Sequence, residues 1–226
     1  MKPPAVSVII PVLGEQLGIN GVIDHLRQVA PDCEIIVVDG DPAGSTLAVI
    51  NETRVIRLAA PQGRGSQLSA GADRATGQIL LMLHADTRLP ENALSSIRSA
   101  VAGGADWGAF RLGIAHQGVA FRVIERSVDL RCKLFILPYG DQSIFATMVA
   151  LDKAGGIPVI PLMEDVELAL RLKRAGQRFR LLADRVSTSA RRWRKDGILR
   201  RSMCNWWLLL RYLAGADARD LERKYR

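Results

Sequence analysis

The sequence predicts an α/β fold with a mostly parallel central sheet, and three observations carry that prediction. Short β-branched apolar runs alternate with helical patterns through the N-terminal half. Gly, Pro or Asp bounds each segment, as turns and caps require. With 226 residues, of which 48% are hydrophobic, the chain is long enough for one substantial core and short for two domains of ordinary size.

The elements follow in order. Candidate strands are Val6 to Val12, Glu34 to Val38, Val55 to Leu58 and Ile79 to Leu83. Candidate helices at Leu17 to Val29, Ser45 to Asn51 and Ser66 to Ala75 lie between them. This strand–helix rhythm makes βαβ units with right-handed crossovers. The second half is less regular. It reads as a helix from about Gln117 to Leu134, a strand near Ser143 to Thr147 and a helix opening at Met163-Glu164-Asp165. Strands near Phe179 to Leu182 and Val186 to Ser189 then lead into a long helix beginning at Ile198.

Charge is unevenly distributed. The net charge is +8, yet residues 171–226 carry 17 Lys/Arg against 5 Asp/Glu, which leaves −4 for the rest. A basic C-terminal quarter suits anionic lipid, nucleic acid or a phosphorylated substrate, or is a solvated arginine-rich surface. No helix-turn-helix, RNP-type or zinc pattern accompanies the charge, so nucleic acid is not expected as a partner. Cys33, Cys132 and Cys204 lie far apart with no CxxC pair, which argues against a disulfide framework or a zinc site and for a reducing cytoplasm. The run Val6 to Val12 is too short to span a membrane, so a soluble protein is expected, or one bound peripherally on the inner face of a membrane.

In open parallel sheets, ligands bind beyond the carboxyl ends of the strands. The residues that follow the candidate strands are Glu15, Asp39, the loop Pro61-Gln62-Gly63-Arg64-Gly65, and His84-Ala85-Asp86. The fold brings these separated polar groups to one edge. A dinucleotide fingerprint fails, because only Gly14 and Gly18 follow the first strand, and no GxxxxGK[ST] occurs. What remains is a sheet suited to a nucleotide held by base and ribose, with its diphosphate held through a metal. Asp39 can accept from a base N–H or a ribose hydroxyl, and Arg64 offers a planar fork to base or phosphate. Alone, Asp39 reads first as a turn residue ending a strand.

Val8-Ile9-Ile10-Pro11 with Glu15, Ile35-Ile36-Val37-Val38-Asp39, Gly63 through Gly77, Leu83-His84-Ala85-Asp86-Thr87 and Met163-Glu164-Asp165-Val166-Glu167 together resemble the family 2 glycosyltransferases of GT-A fold. Tyr139-Gly140-Asp141-Gln142 and Arg191-Arg192-Trp193 are similar to motifs of a compact bacterial subgroup. The resemblance implies a GT-A catalytic domain over 1–195, with a nucleotide-sugar half at 1–112 and an acceptor half at 113–195, followed by a basic helical extension at 196–226.

The implied activity is inverting transfer from a nucleotide diphosphate sugar to an acceptor hydroxyl. Asp165 is then the base, with Glu164 beside it, and Asp86 is the ligand of a divalent cation, Mn2+ or Mg2+. Glu164 and Asp165 point about 100° apart on a helix, which implies separate roles. His84 departs from the family's first Asp and favours manganese over magnesium. Pro11, Glu15, Asp39, Gly63, Arg64, His84 and Ala85 are expected at the donor; Asp141, Gln142, Arg191, Arg192 and Trp193 at the acceptor or diphosphate. Each acid has a plainer reading as well: Asp86 as a helix cap before Thr87 to Glu91, Glu164 and Asp165 as partners of a helix dipole, Asp141 as a turn residue.

Along the last helix, Leu199, Met203, Trp206, Leu210 and Leu213 recur at spacings of three or four. That stripe packs on the chain's own core or on a second copy in a homodimer, or else it lies against an anionic membrane that presents a lipid-linked acceptor. Two other functions compete with transfer: a nucleotidyltransferase that makes nucleotide sugars, which would want a Gly-rich loop soon after the first strand, and a catalytically silent module that binds nucleotide sugars or membranes.

Overall fold

The computed structural model describes residues 5–189 and 197–225. Four strands alternate with helices at the start, as the sequence predicts: β1 (Val6–Val12), α1 (Ile19–Val29), β2 (Glu34–Asp39), β3 (Val55–Ala59), α2 (Arg64–Arg74) and β4 (Ile79–Met82). Every residue of β1 and β4 is buried, because helices or loops cover both faces of a parallel sheet. Then come β5 (Thr87–Arg88), α3 (Ala93–Ala102), β6 (Trp107–Ile114), α4 (Val119–Phe135), β7 (Phe145–Thr147), α5 (Met148–Lys153), α6 (Glu164–Arg174) and β8 (Phe179–Thr188). Two C-terminal helices follow, α7 (Ile198–Leu213) and α8 (Ala218–Tyr225).

The eight strands form one sheet in the order β3-β2-β1-β4-β7-β6-β8-β5. β1 pairs in parallel with β2 and β4, β2 with β3, and β6 with β8. The short β7 runs antiparallel between β4 and β6 and joins the two parallel halves. β5 pairs antiparallel with β8, so the chain just after β4 is tied to the far edge of the sheet.

Three sequence expectations are corrected. Ser45 to Asn51 forms only a 3-10 turn at Leu47–Val49, none of whose residues is buried, so no apolar face holds a longer helix there. The strands expected near Phe179 and Val186 are one strand, β8, whose register on β6 shifts between Ala109 and Arg111. The segment after Asp86 is the strand β5, not a helix, and the helix begins later at Ala93. β6 and α3 are additional elements.

Two apolar layers sandwich the sheet. One gathers Val8, Ile10, Ile19, Ile23, Leu26 and Phe110; the other holds Ile9, Ile36, Trp107, Val166, Leu172, Leu208 and Leu209. Leu208, Leu209 and Leu221 therefore bind the basic C-terminal segment to the core of the sheet. The stripe read from the sequence is not the face that does this: Met203, Trp206, Leu210 and Leu213 are exposed. The core-facing positions lie on the other side of α7, where Tyr212 also donates its hydroxyl to Glu167 Oε2 at 2.8 Å. Among the described residues no helix is long and apolar enough to cross a membrane.

Candidate active site

The site forms where the chain leaves the carboxyl ends of β1 and β4 and meets the N-termini of α2 and α6. Leu83 N–H donates to Ile9 O and Thr87 N–H to His84 O, while Ser189 N–H donates to Asp86 O. The His84-Ala85-Asp86 turn is thereby held from both sides and presents its side chains outward.

An open cleft of about 500 Å³ lies on one side of this turn, lined by Pro11, Glu15, Gly63, Arg64, His84, Ala85 and Asp86, with Gln67 and Glu222. A smaller cavity of about 110 Å³ lies on the other side, walled by Tyr139, Gly140, Asp141, Asp165, Asn205 and Leu208. Arg64, His84 and Asp86 belong to both and form the seam between them.

Two glycines make this approach possible. A Cβ on Gly65 would stand 2.3 Å from Pro158 O, so only glycine lets the first turn of α2 sit against the 158–160 loop. A Cβ on Gly140 would stand 2.7 Å from His84 Nε2. The imidazole thus packs directly on the Gly140 backbone.

Glu164 and Asp165 open α6 behind Met163, whose φ of 65° is left-handed and unusual for a side chain of this size. The adjacent acids point to different places. Asp165 faces the smaller cavity, with Oδ2 accepting from Gly140 N–H at 2.7 Å and Oδ1 from Val166 N–H at 2.8 Å. Glu164 points inward, is 2% exposed, and meets Arg64 Nε at 2.7 Å through Oε1. Its Oε2 is buried without a hydrogen-bond partner. Burial pushes the Glu164 carboxyl up to about 7 against the opposing pull of Arg64, and the negative charge of Asp165 adds to the rise. Glu164 lines neither cavity and instead joins the two helix ends through Arg64.

Asp141 lies in the wall of the smaller cavity, and its Oδ1 is buried and unpaired. Burial raises its carboxyl to about 6; Arg131 opposes the shift, and Asp165 and Asp86 reinforce it.

The remaining expected site residues divide. Gln142 is fully buried and faces the core: Oε1 accepts from Tyr139 N–H and Arg131 Nη2, both at 3.2 Å, and Nε2 donates to Phe110 O at 3.0 Å. It shapes the Tyr139–Gln142 turn and reaches neither cavity. Asp39 is fully buried as well, its oxygens accepting from Asp41 N–H and Thr46 N–H at 2.9 Å each, and it lines neither cavity. Arg191, Arg192 and Trp193 lie outside the described residues.

Sequence reasoning missed Arg131, whose guanidinium carbon stands 3.5 Å from the centroid of the Tyr139 ring and so positions that wall. It also missed Asn205, Leu208 and Glu222, which reach the site from the C-terminal helices. Only their packing reveals them.

Among the described residues Asp86 is the one carboxylate that lines both cavities. Among the described residues no group of three or more His, Cys, Asp or Glu could hold a metal ion by itself. The donor set therefore fits a hard cation only if ligand oxygens and water complete its shell.

Comparison with known proteins agrees with this geometry. Residues 7–115 match the model of glycosyl transferase family 2. A PGL/p-HBAD biosynthesis glycosyltransferase of Mycobacterium bovis (strain BCG / Pasteur 1173P2) is 34% identical over 99 residues, which cover 40% of this chain and 39% of that protein. A probable glycosyltransferase of Sulfolobus acidocaldarius is 32% identical over 104 residues, covering 40% and 22%. The chain thus spans about two-fifths or less of the length of these curated relatives. Among solved structures, S. aureus TarS 1-349 superposes with a TM-score of 0.64 at 15% identity, covering 82% of this chain and 60% of that one. The mannosyltransferase PcManGT from Pyrobaculum calidifontis, in complex with GDP-Man and Mn2+, gives 0.64 at 16% identity over 81% and 56%. Over residues 7–115 the chain is thus similar to glycosyl transferase family 2, and it shares the GT-A fold of the solved glycosyltransferases.

Proposed function

We propose that the chain transfers a sugar from a nucleoside diphosphate sugar to an acceptor hydroxyl with inversion at the anomeric carbon. The observation that carries this reading is the seam of Arg64, His84 and Asp86 between two cavities, with Asp165 on the far side. A donor in the larger cleft would lay its diphosphate across the seam and present its anomeric carbon to the smaller cavity. Solved structures of the same fold hold GDP-Man with Mn2+ in PcManGT and UDP-GlcNAc in TarS, which supports a donor of this class.

In the proposed reaction Asp165 takes the proton of the acceptor hydroxyl through a carboxylate oxygen. The acceptor oxygen bonds to the anomeric carbon from the face opposite the diphosphate, and the bond from that carbon to the diphosphate oxygen breaks. Backbone N–H groups of Gly140 and Val166 orient the carboxylate toward the cavity. Asp86, joined by phosphate oxygens and water, would hold Mg2+ or Mn2+, which when bound offsets the charge on the departing nucleoside diphosphate. His84 on the same seam biases the choice toward manganese. Arg64, at the N-terminus of α2, adds positive charge beside the diphosphate.

The test is release of nucleoside diphosphate from a panel of nucleotide sugars with manganese or magnesium, repeated with Asp86→Ala. Metal-dependent turnover of one donor, lost in the variant, supports the transferase. Absence of both binding and turnover for every donor overturns it.

A further inference from the structure

We propose that the outer faces of α4 and α7 dock the protein on an anionic lipid bilayer. On α4, Val119, Val123, Leu130 and Leu134 are all more than half exposed and follow one line along the helix. Arg126 and Lys133 run beside that line, as does Arg122, whose charge is answered by Glu125. The two acids of α4 are turned inward: Glu125 is buried and accepts from Ile114 N–H and Arg122, and Asp129 is buried against Arg185. The surface the helix shows to solvent is therefore aliphatic and cationic with no carboxylate.

α7 repeats the arrangement with other residues. Met203, Trp206, Trp207, Leu210 and Leu213 are exposed, and the sequence of the helix contains no acid. Arg211 and Lys224 stand 5.8 and 5.9 Å from the Trp207 ring, so the cations gather around the indole. Leu208 and Leu209 already hold α7 on the core, which leaves this second apolar face unused by the fold. Both helices flank α6: Lys173 Nζ donates to Phe135 O at the end of α4, and Tyr212 of α7 donates to Glu167. Both also lead to the smaller cavity, α7 through Asn205 and Leu208 and α4 through Arg131 on Tyr139.

The charge pattern selects the occupant. An anionic bilayer attracts the arginines and lysines and accepts aliphatic and indole groups at its interface. A second copy docked through the same two faces would need carboxylates to answer these cations, and neither face supplies one.

The experiment is sedimentation of the full chain with phosphatidylglycerol or phosphatidylcholine vesicles, without donor or metal, so that it reads docking apart from turnover. Binding to phosphatidylglycerol is expected to exceed binding to phosphatidylcholine by about tenfold at low salt and to weaken as salt rises. Val123→Glu/Leu130→Glu, and separately Trp206→Ser/Trp207→Ser, are expected to lower it by about tenfold with the thermal midpoint kept. The proposal is overturned by no binding to phosphatidylglycerol, by equal binding to both lipids, or by binding that neither variant alters. A dimer in light scattering that the same substitutions abolish overturns it as well and assigns the faces to a second copy.

Discussion

Arg64 and Glu164 meet at 2.7 Å between Nε and Oε1, and the contact ties the N-terminus of α2 to that of α6 across the floor of the site. The carboxylate is almost wholly buried and the guanidinium is 36% exposed, so the pair is a one-sided burial. Removing Arg64 strands an acid in the core. Removing Glu164 leaves a cation that water can still reach.

Arg64→Ala is accordingly expected to destabilise the fold more than Glu164→Gln does. The cost of the first is roughly 2 kcal/mol, below the usual loss for a fully buried pair because solvent already screens Arg64. Urea midpoints of the two variants, compared at neutral pH, check the order.

The same burial predicts the sign of a pH effect. Glu164 is raised to about 7 and Asp141 to about 6, whereas in the unfolded chain both ionise near their ordinary, lower values. Between the unfolded and folded values the folded protein holds more protons, so stability falls as pH rises and levels off above the folded values. Unfolding midpoints are expected to drop from about pH 5 to pH 7, and Glu164→Gln is expected to flatten the upper part of that slope.

Asp165→Asn keeps the shape of the cavity wall but cannot take a proton. Turnover is expected to fall by at least about a hundredfold while donor binding stays within about twofold of wild type. A variant that retains more than about a tenth of wild-type turnover removes Asp165 from the role of base.

Two glycine substitutions separate site geometry from backbone freedom. Gly140→Ala drives a methyl group into His84 and is expected to lower turnover by about tenfold or more. Gly21→Ala, on the exposed face of α1 with nothing within 4 Å of its Cβ, is expected to raise stability by up to about 1 kcal/mol with unchanged turnover.

Gln142→Ala separates a turn-building role from a ligand-binding one. The change leaves Phe110 O, Tyr139 N–H and part of Arg131 without their partner, and the expected loss is on the order of 3 kcal/mol. Thermal and urea unfolding read this directly, and a variant with wild-type stability but a raised donor KM would return Gln142 to the binding site.

The local pattern by itself determined the first half of the fold and much of the lining of the larger cleft. β1 to β4 are near-continuous apolar runs between turn residues, and the rule that ligands gather at strand ends puts Glu15, Arg64, His84 and Asp86 together without coordinates. The family resemblance added the distinction between Glu164 and Asp165, which helix geometry alone stated only as an angle. β6 was illegible because Gly108, Arg111 and Gly113 interrupt its apolar pattern, and pairing with β8 supplies what propensity lacks.

Only the tertiary structure decided which way the ambiguous groups face. Asp39 and Gln142 are polar residues in site-like positions, yet both are fully buried, bonded within the fold, and line neither cavity. The stripe on α7 has the spacing of a core-facing helix, yet Leu208 and Leu209 on the opposite side make the contact with the core. The physical reason is the same in each case. Periodicity records how side chains are arranged around their own element, whereas burial depends on which distant segment comes to cover that element, and no local pattern carries that information.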